Sequence, residues 1–220
     1  IKDHTLKYLD HYAAQFQAAA EANGAVVHWA ETPAEATRIV VDICKRRGAR
    51  SATRVKSMLG EEIGLPDALA AAGIERVETD LAEHIIQLAD ERPSHIVIPA
   101  LHKTQEEIAE LFTAKHARPR ASEAVEALVE SARHELRPKY VGADVGISGA
   151  NFLAADTGAI VTVTNEGNAE LTTALPPCHI VTVGIEKLVP TVASTSIFLR
   201  LLSRSALGSE FTQYVTFYNG

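Results

Sequence analysis

The sequence predicts an α/β fold: a largely parallel sheet with flanking helices plus a β-hairpin. Three observations carry this. Helix start signals recur along the first two thirds of the chain, short apolar runs of strand length lie between them, and a glycine-bearing turn later separates two strand-like segments.

Taken in order, residues 1–24 read as an N-terminal helix packed on the domain, and Ala25-Val26-Val27-His28-Trp29 as a first strand. Thr32, Pro33 and Glu35 form a capping box with proline at the first helical position. Ala36, Ile39, Val40, Ile43 and Cys44 follow at helical spacing, and Gly48 supplies the stop. Cys44 on that stripe reads as a core residue. Ser51 to Val55 and Ile74-Glu75-Arg76-Val77 are short strands. Asp80 with Glu83, and Thr104 with Glu107, repeat the cap pattern and introduce helices near 81–91 and 105–116. Ile96-Val97-Ile98, bounded by Ser94 and Pro99, reads as a strand. Val125, Leu128, Val129, Ala132 and Leu136 share a helix face that Pro138 should end. Phe152 to Ala155 and Ala159 to Thr164 flank Asp156-Thr157-Gly158 as a hairpin. His179 to Val183 is a buried strand, a helix begins near Thr191, and Gln213 to Phe217 is strand-like. No internal repeat, linker or low-complexity tract appears, so residues 1–220 read as one domain.

Composition narrows the function classes. With 46% hydrophobic and 22% charged residues the 220-residue chain is an ordinary globular sequence. A formal net charge of −7 speaks against a nucleic-acid partner, which needs a basic surface. No apolar run has the length of a membrane span and no cleavable signal opens the chain, so a reducing cytoplasm is expected. The two cysteines, Cys44 and Cys178, cannot build a disulfide framework or a cysteine-only metal site. A start at Ile1 and an end just after a strand-like run are expected of a piece of something longer.

The common catalytic fingerprints are missing. Gly146-Ile147-Ser148-Gly149 is one residue short of a nucleophile elbow, and Gly142, Gly146 and Gly149 lack dinucleotide spacing. His95 and His102 have no Cys-x-x-Cys partner, so no metal site is expected. Three constellations remain. Lys56-Ser57 with Glu61-Glu62 follows a strand, where an α/β sheet places its ligands, and suits an anionic group. Adjacent Glu61 and Glu62 would raise one another's pKa if partly buried, although the segment also reads as a solvated loop. Asp144 to Asn151, with Ser148 and Gly149, is glycine-dense enough for backbone amides to approach a ligand, or else a bulged strand. Asn165-Glu166-Gly167-Asn168 presents a carboxylate and carboxamides beside a permissive glycine, with a plain turn as the other reading. Glu186-Lys187 lies after the strand at 179–183 as a further candidate or a solvated loop pair. Lys56, Glu62, Asp144, Asn151 and Glu166 are expected to converge at the sheet's carboxyl edge.

These segments together resemble the LUD (lactate utilization) domain family, in its protein B branch. The resemblance rests on Lys56-Ser57 with Glu61 to Gly64, Glu78-Thr79-Asp80, Ser94 to Val97, Pro99 to Thr104, Ala143 to Phe152, Thr157-Gly158, and Asn165 to Asn168. It continues through Leu175-Pro176-Pro177, His179, Gly184 to Lys187, and Arg204-Ser205-Ala206, covering nearly the whole chain in order. It implies a fold like the NagB/RpiA/CoA-transferase group and a part in a three-protein, iron–sulfur, cytoplasmic oxidation of L-lactate to pyruvate, with A- and C-type components as partners. The ferredoxin-like cysteine runs of that branch do not occur here, so the [4Fe-4S] clusters are expected in a missing C-terminal segment and no cofactor in this fragment. On this footing the domain docks partners or binds a small anionic ligand. The competing expectation is an acyl-CoA-type transferase or hydrolase with Glu166 as its catalytic carboxylate, because related transferases place such a glutamate in a glycine-bearing turn. A purely structural scaffold is the third.

Overall fold

The computed structural model describes residues 1–95, 98–117, 124–210 and 212–219. Its elements, in chain order, are α1 (Lys2–Lys7), α2 (Leu9–Ala22), α3 (Pro33–Arg46), β1 (Ser51–Arg54), α4 (Met58–Glu62), α5 (Leu65–Ala71), β2 (Glu75–Glu78), α6 (Leu81–Ala89), α7 (Gln105–Lys115) and α8 (Val125–Gly142). There follow β3 (Val145–Ser148), β4 (Phe152–Ala154), β5 (Ala159–Thr164), α9 (Asn168–Ala174), β6 (His179–Val181), a 3-10 turn at Ile185–Lys187, β7 (Leu188–Val189), α10 (Val192–Leu207) and β8 (Tyr214–Tyr218). No helix among the described residues is long and apolar enough to cross a membrane.

The strands form two sheets of four. The first, in the order β2-β1-β3-β6, is wholly parallel, with Thr53 opposite both Val77 and Gly146, and Ile147 opposite Ile180. Helices cover both of its faces, as a wholly parallel sheet requires, and β1 and β3 are buried along most of their length. On one face Ala52, Val145, Ile147 and Ile180 pack with Val40 and Cys44 of α3 and Leu65 and Leu69 of α5. On the other, Val77 packs with Leu136 and Tyr140 of α8, and α9 lies against β3. At the β2 edge, Gln87 donates to the Arg76 carbonyl at 2.6 Å and accepts from the Glu78 amide at 3.0 Å. One side-chain amide thus satisfies backbone groups that an edge strand would leave open.

The second sheet, β7-β4-β5-β8, holds the expected hairpin: β4 and β5 pair antiparallel, β8 pairs antiparallel with β5, and β7 runs parallel to β4. Phe16 and Ala20 of α2 cover one face against Leu153 and Leu188. Val192 and Phe198 of α10 cover the other against Ala154, Ala159 and Val189. Gly158 closes the hairpin with φ +70°, and a Cβ there would run into the backbone of Ala20, so both conformation and space demand glycine.

The caps behave as their residues dictate. Thr104 and Glu107 exchange both capping-box bonds, at 3.2 and 2.8 Å, and Asp80 accepts from the amides of Ala82 and Glu83. Three expectations need correction, and a fourth falls mostly outside the described residues. The N-terminal segment is two helices, broken at Tyr8. Ala25 to Trp29 is extended but has no neighbouring strand: Ala25 and Val27 lean on the α2 cluster while Val26 is 76% exposed, so alternation here marks half-burial rather than pairing. The helix that Pro138 was to end runs on to Gly142, because Leu136 and Tyr140 on either side of the exposed proline are both anchored in the core. Of the expected strand at 96–98, Ile96 and Val97 lie outside the described residues. Ile98 sits in a bend whose base is closed by the Ser94 amide and hydroxyl on the Pro99 carbonyl.

Two glycines separate space from propensity. A Cβ on Gly146 would collide with the Thr172 carbonyl of α9 and lie 3.3 Å from the Pro176 ring, whereas one on Gly142 would meet nothing within 4 Å. Gly146→Ala should therefore destabilise by about 1–3 kcal/mol or more, as overpacking does. Gly142→Ala should be neutral or stabilising by up to ~1 kcal/mol. Urea unfolding of both variants checks this, and equal midpoints would contradict the packing of α9 on β3.

Candidate functional site

Because β1, β2, β3 and β6 all run the same way, the segments that follow them share one edge of the sheet. β1 delivers Lys56 and Ser57, β2 delivers Thr79 and Asp80, and β3 delivers Gly149 to Asn151. Strand-like bonding continues past the strand ends: Val55 donates to Ile147, Thr79 to Arg54, and Thr182 to Ser148, at 2.9–3.0 Å. The loops therefore start from fixed positions.

Beneath this edge lies a buried ion network. Arg54, 1% exposed, donates through Nε to Glu78 Oε1 at 2.7 Å and through Nη2 to Glu61, and Arg76 approaches the same Glu78 oxygen at 3.4 Å. Burial opposes both charges. The neighbouring carboxylates more than offset it for Arg54, whose pKa stays above its usual value, while burial pushes Glu78 upward against the pull of Arg54 and Arg76. A guanidinium does not give up its proton, so Arg54 keeps its charge and draws Glu78 towards the ionised form against the effect of burial. Arg54 Nη1 and Glu78 Oε2 remain buried without a hydrogen-bond partner. Glu78 borders a cavity of about 50 Å³, lined also by Glu61, Arg76, Glu83, Gln87 and Glu91, which is room for a bridging water.

Above the network, Glu166 comes in from the second sheet. It follows β5, whose Val161 is fully buried, and precedes Gly167, which adopts φ +72° at the head of α9. Its Oε2 accepts from the Leu81 amide at 3.3 Å, in the first turn of α6, beside the capping carboxylate of Asp80. Although much of the residue's surface faces solvent, the carboxyl sits in a crowded place. Desolvation first, and then the charge of Asp80, push its pKa up to about 7, against the Leu81 N–H and Lys56. Lys56 also opposes the upward shift that burial, Glu78 and Glu61 impose on Glu83, so its ammonium lies within electrostatic reach of both glutamates. Tyr140 completes the surroundings: burial pushes its phenol up to about 12, with Glu166 and Asp80 adding to the shift.

The other expected residues fall into three groups. Ser57 and Gly149 adjoin at the edge: Ser57 caps α4 through the Gly60 amide at 3.2 Å, and a Cβ on Gly149 would lie 3.0 Å from its hydroxyl. Asn151 is near but engaged, its side-chain oxygen accepting from Val163 at 2.8 Å to start the hairpin. Ser148 turns inward to His179 Nε2 at 2.7 Å, where burial lowers the imidazole pKa to about 4, and Asn168 is buried at the start of α9. Glu61 reaches Arg54 while Glu62 is exposed, because adjacent residues on a helix do not face each other. Asp144 does not join the site. It precedes β3, at the opposite edge, and accepts from the Arg50 and Ser51 amides at 2.8 and 3.0 Å, which hold its pKa down. Glu186 and Lys187 lie on the 3-10 turn beside α1, where Lys2 donates to the Glu186 and Leu188 carbonyls.

Sequence reasoning missed Arg54, Asp80, Glu83 and Tyr140. A charged residue inside an otherwise uncharged strand was the available signal for Arg54, and Asp80 was visible as a helix cap and within the Glu78-Thr79-Asp80 segment of the resemblance, but not as a site residue. Among the described residues no group of three or more His, Cys, Asp or Glu side chains is placed to hold a metal ion. An iron–sulfur cluster does not fit either: it asks for four thiolates, and of two cysteines Cys44 is 0% exposed with its pKa pushed up to about 11.

The Glu166 shift has a definite sign in stability. The folded chain keeps this proton to about pH 7 and the unfolded chain releases it near 4.5. Stability from this group is thus complete below the lower value and lost as pH rises through the upper one. Relative to the parent, Glu166→Gln should gain melting temperature on going from about pH 5 to about pH 8. A difference that does not change with pH would make Glu166 an ordinary surface carboxylate.

Comparison with known proteins gives a consistent result. The LUD domain family matches residues 13–220. Lactate utilization protein B of Oceanobacillus iheyensis is 44% identical over 220 residues, and that of Lysinibacillus sphaericus 45% over 221. An Escherichia coli K12 protein described as uncharacterized electron transport protein YkgF is 40% identical over 222 residues. Each alignment covers 100% of this chain and 46% of the relative, so the chain spans about half the length of the curated relatives it matches. No solved structure matches.

Proposed function

The chain belongs to the LUD domain family, and from that premise we propose that it is the α/β part of an iron–sulfur component that takes part in oxidising L-lactate to pyruvate. Its own share is to bind a small anionic ligand at the carboxyl edge of the parallel sheet, with A- and C-type lactate-utilization proteins as partners of the whole. The [4Fe-4S] clusters belong to a further segment of the full-length protein, and the setting is the cytoplasm. The names of the relatives support the lactate role.

One observation carries the site: Lys56 lies within electrostatic reach of the Asp80–Glu166 pair, with Glu166 bonded to the first turn of α6. The Lys56 cation suits an anionic group. A carboxyl that titrates near neutral pH beside that cation suits proton exchange with such a group. The second reading, a transferase in which Glu166 attacks an acyl group, has the glycine-bearing turn in its favour. A nucleophile has to be ionised, however, and a carboxyl with a pKa near 7 is only partly so.

Two variants of the full-length protein test the proposal in the reassembled three-protein system. Lys56→Met and Glu166→Gln should each lower lactate oxidation about tenfold or more, equivalent to roughly 1.4 kcal/mol, with folding retained in thermal melts. Unchanged turnover in both would remove the site from the reaction. Acyl transfer by the isolated chain that is lost in Glu166→Gln would favour the second reading.

A further inference from the structure

The chain's two cysteines lie far apart in sequence, yet the fold brings them to the same corner. Cys44 is near the C-terminal end of α3, its carbonyl accepting from Ala49, and Gly48 then turns the chain into β1 at the amino edge of the parallel sheet. Cys178 directly precedes β6 at that same edge, its carbonyl accepting from Gly146 of β3 at 2.8 Å. Side chains alternate along a strand, so Cys178 points to the face of Ile180, which is the face α3 covers. It packs against the cluster that contains Cys44, Val145, Ile147 and Ile180. Electrostatics agrees: after burial, the largest influence raising the Cys44 pKa is Cys178.

We infer that Cys44 and Cys178 form an oxidisable thiol pair that closes to a disulfide between α3 and β6. With hydrogen peroxide as oxidant, the half-buried Cys178 reacts first, because Cys44 is wholly enclosed. Its sulfur takes one peroxide oxygen to become a sulfenic acid, and the other oxygen leaves as water. The Cys44 sulfur then attacks the Cys178 sulfur; the S–S bond forms, the S–O bond breaks, and the hydroxyl leaves as a second water with the Cys44 proton. Two thiols and one peroxide thus give one disulfide and two waters. The second step is the slow one, since the thiolate is the nucleophile and Cys44 gives it up reluctantly. Its rate should rise with pH. This pair lies at the edge opposite Lys56 and Glu166, and the inference is independent of the lactate reading.

The test treats the purified, folded chain with hydrogen peroxide and follows intact mass. The expected product is lighter by two hydrogens, monomeric on a non-reducing gel, with both thiols lost to a thiol reagent after unfolding and a peptide pair joining Cys44 to Cys178. Cys44→Ala should instead stop at oxygen adducts of Cys178. Accumulation of sulfinic acid at Cys178 in the parent, with the Cys44 thiol intact, would overturn the inference. So would cross-linking that occurs only in denaturant.

Discussion

The salt bridge between Arg54 and Glu78 is the interaction on which the carboxyl edge of the parallel sheet depends. The two residues are direct partners in the β1–β2 register, and each is 1% exposed. Taking such charges out of water costs several kcal/mol per ion, and breaking a buried pair by removing one partner typically costs about 3–5 kcal/mol. The pair persists because its surroundings hold it from several directions. Glu61 brings α4 to the guanidinium, Arg76 adds a second cation to Glu78, and Gln87 of α6 holds the Glu78 amide. The Arg54 carbonyl receives both the amide and the hydroxyl of Thr79. One side-chain pair therefore sets where β1 and β2 end, and with them Lys56 and Asp80.

The second constraint is α9, which joins the two sheets. Its Thr172 carbonyl occupies the space that Gly146 leaves open on β3. On its other side Glu170 accepts from Thr164 of β5 and Thr216 of β8, and Thr173 donates to Tyr218. A helix held this way fixes the turn that precedes it, and that turn carries Glu166. The site is thus a meeting of two scaffolds: the parallel sheet supplies a cation and a helix start, and the hairpin sheet supplies the titrating carboxyl. Rigid support on both sides is what keeps such a constellation in register.

Much of the fold was legible because its signals are local. Thr32, Asp80, Thr104 and Thr191 start helices by accepting amides within their own first turns, and Gly158 marks the hairpin by its positive φ. What failed depended on neighbours far away in sequence. Ala25 to Trp29 has the pattern of a strand but no partner, and Pro138 is tolerated because the core grips the helix on both sides of it. The site was legible in part. Lys56 and Glu166 stand where loops after strands should stand, yet their closeness follows from the order β2-β1-β3-β6 and from α9, which no local pattern contains. Asp144 was within reach of a correct reading: it precedes its strand, and in a parallel sheet that means the other edge. Arg54 was hidden because a lone arginine in a strand looks like surface until its carboxylates are placed around it.

Lys56, Asp80 and Glu166 form one electrostatic unit built across two sheets. Carbon-13 NMR titration of the Glu166 carboxyl measures it directly in the parent, in Asp80→Asn, which keeps a good helix cap, and in Lys56→Met. The expected midpoint is near 7 in the parent, moving down when Asp80 loses its charge and up when Lys56 loses its own. A midpoint near 4.5 that neither substitution moves would contradict it.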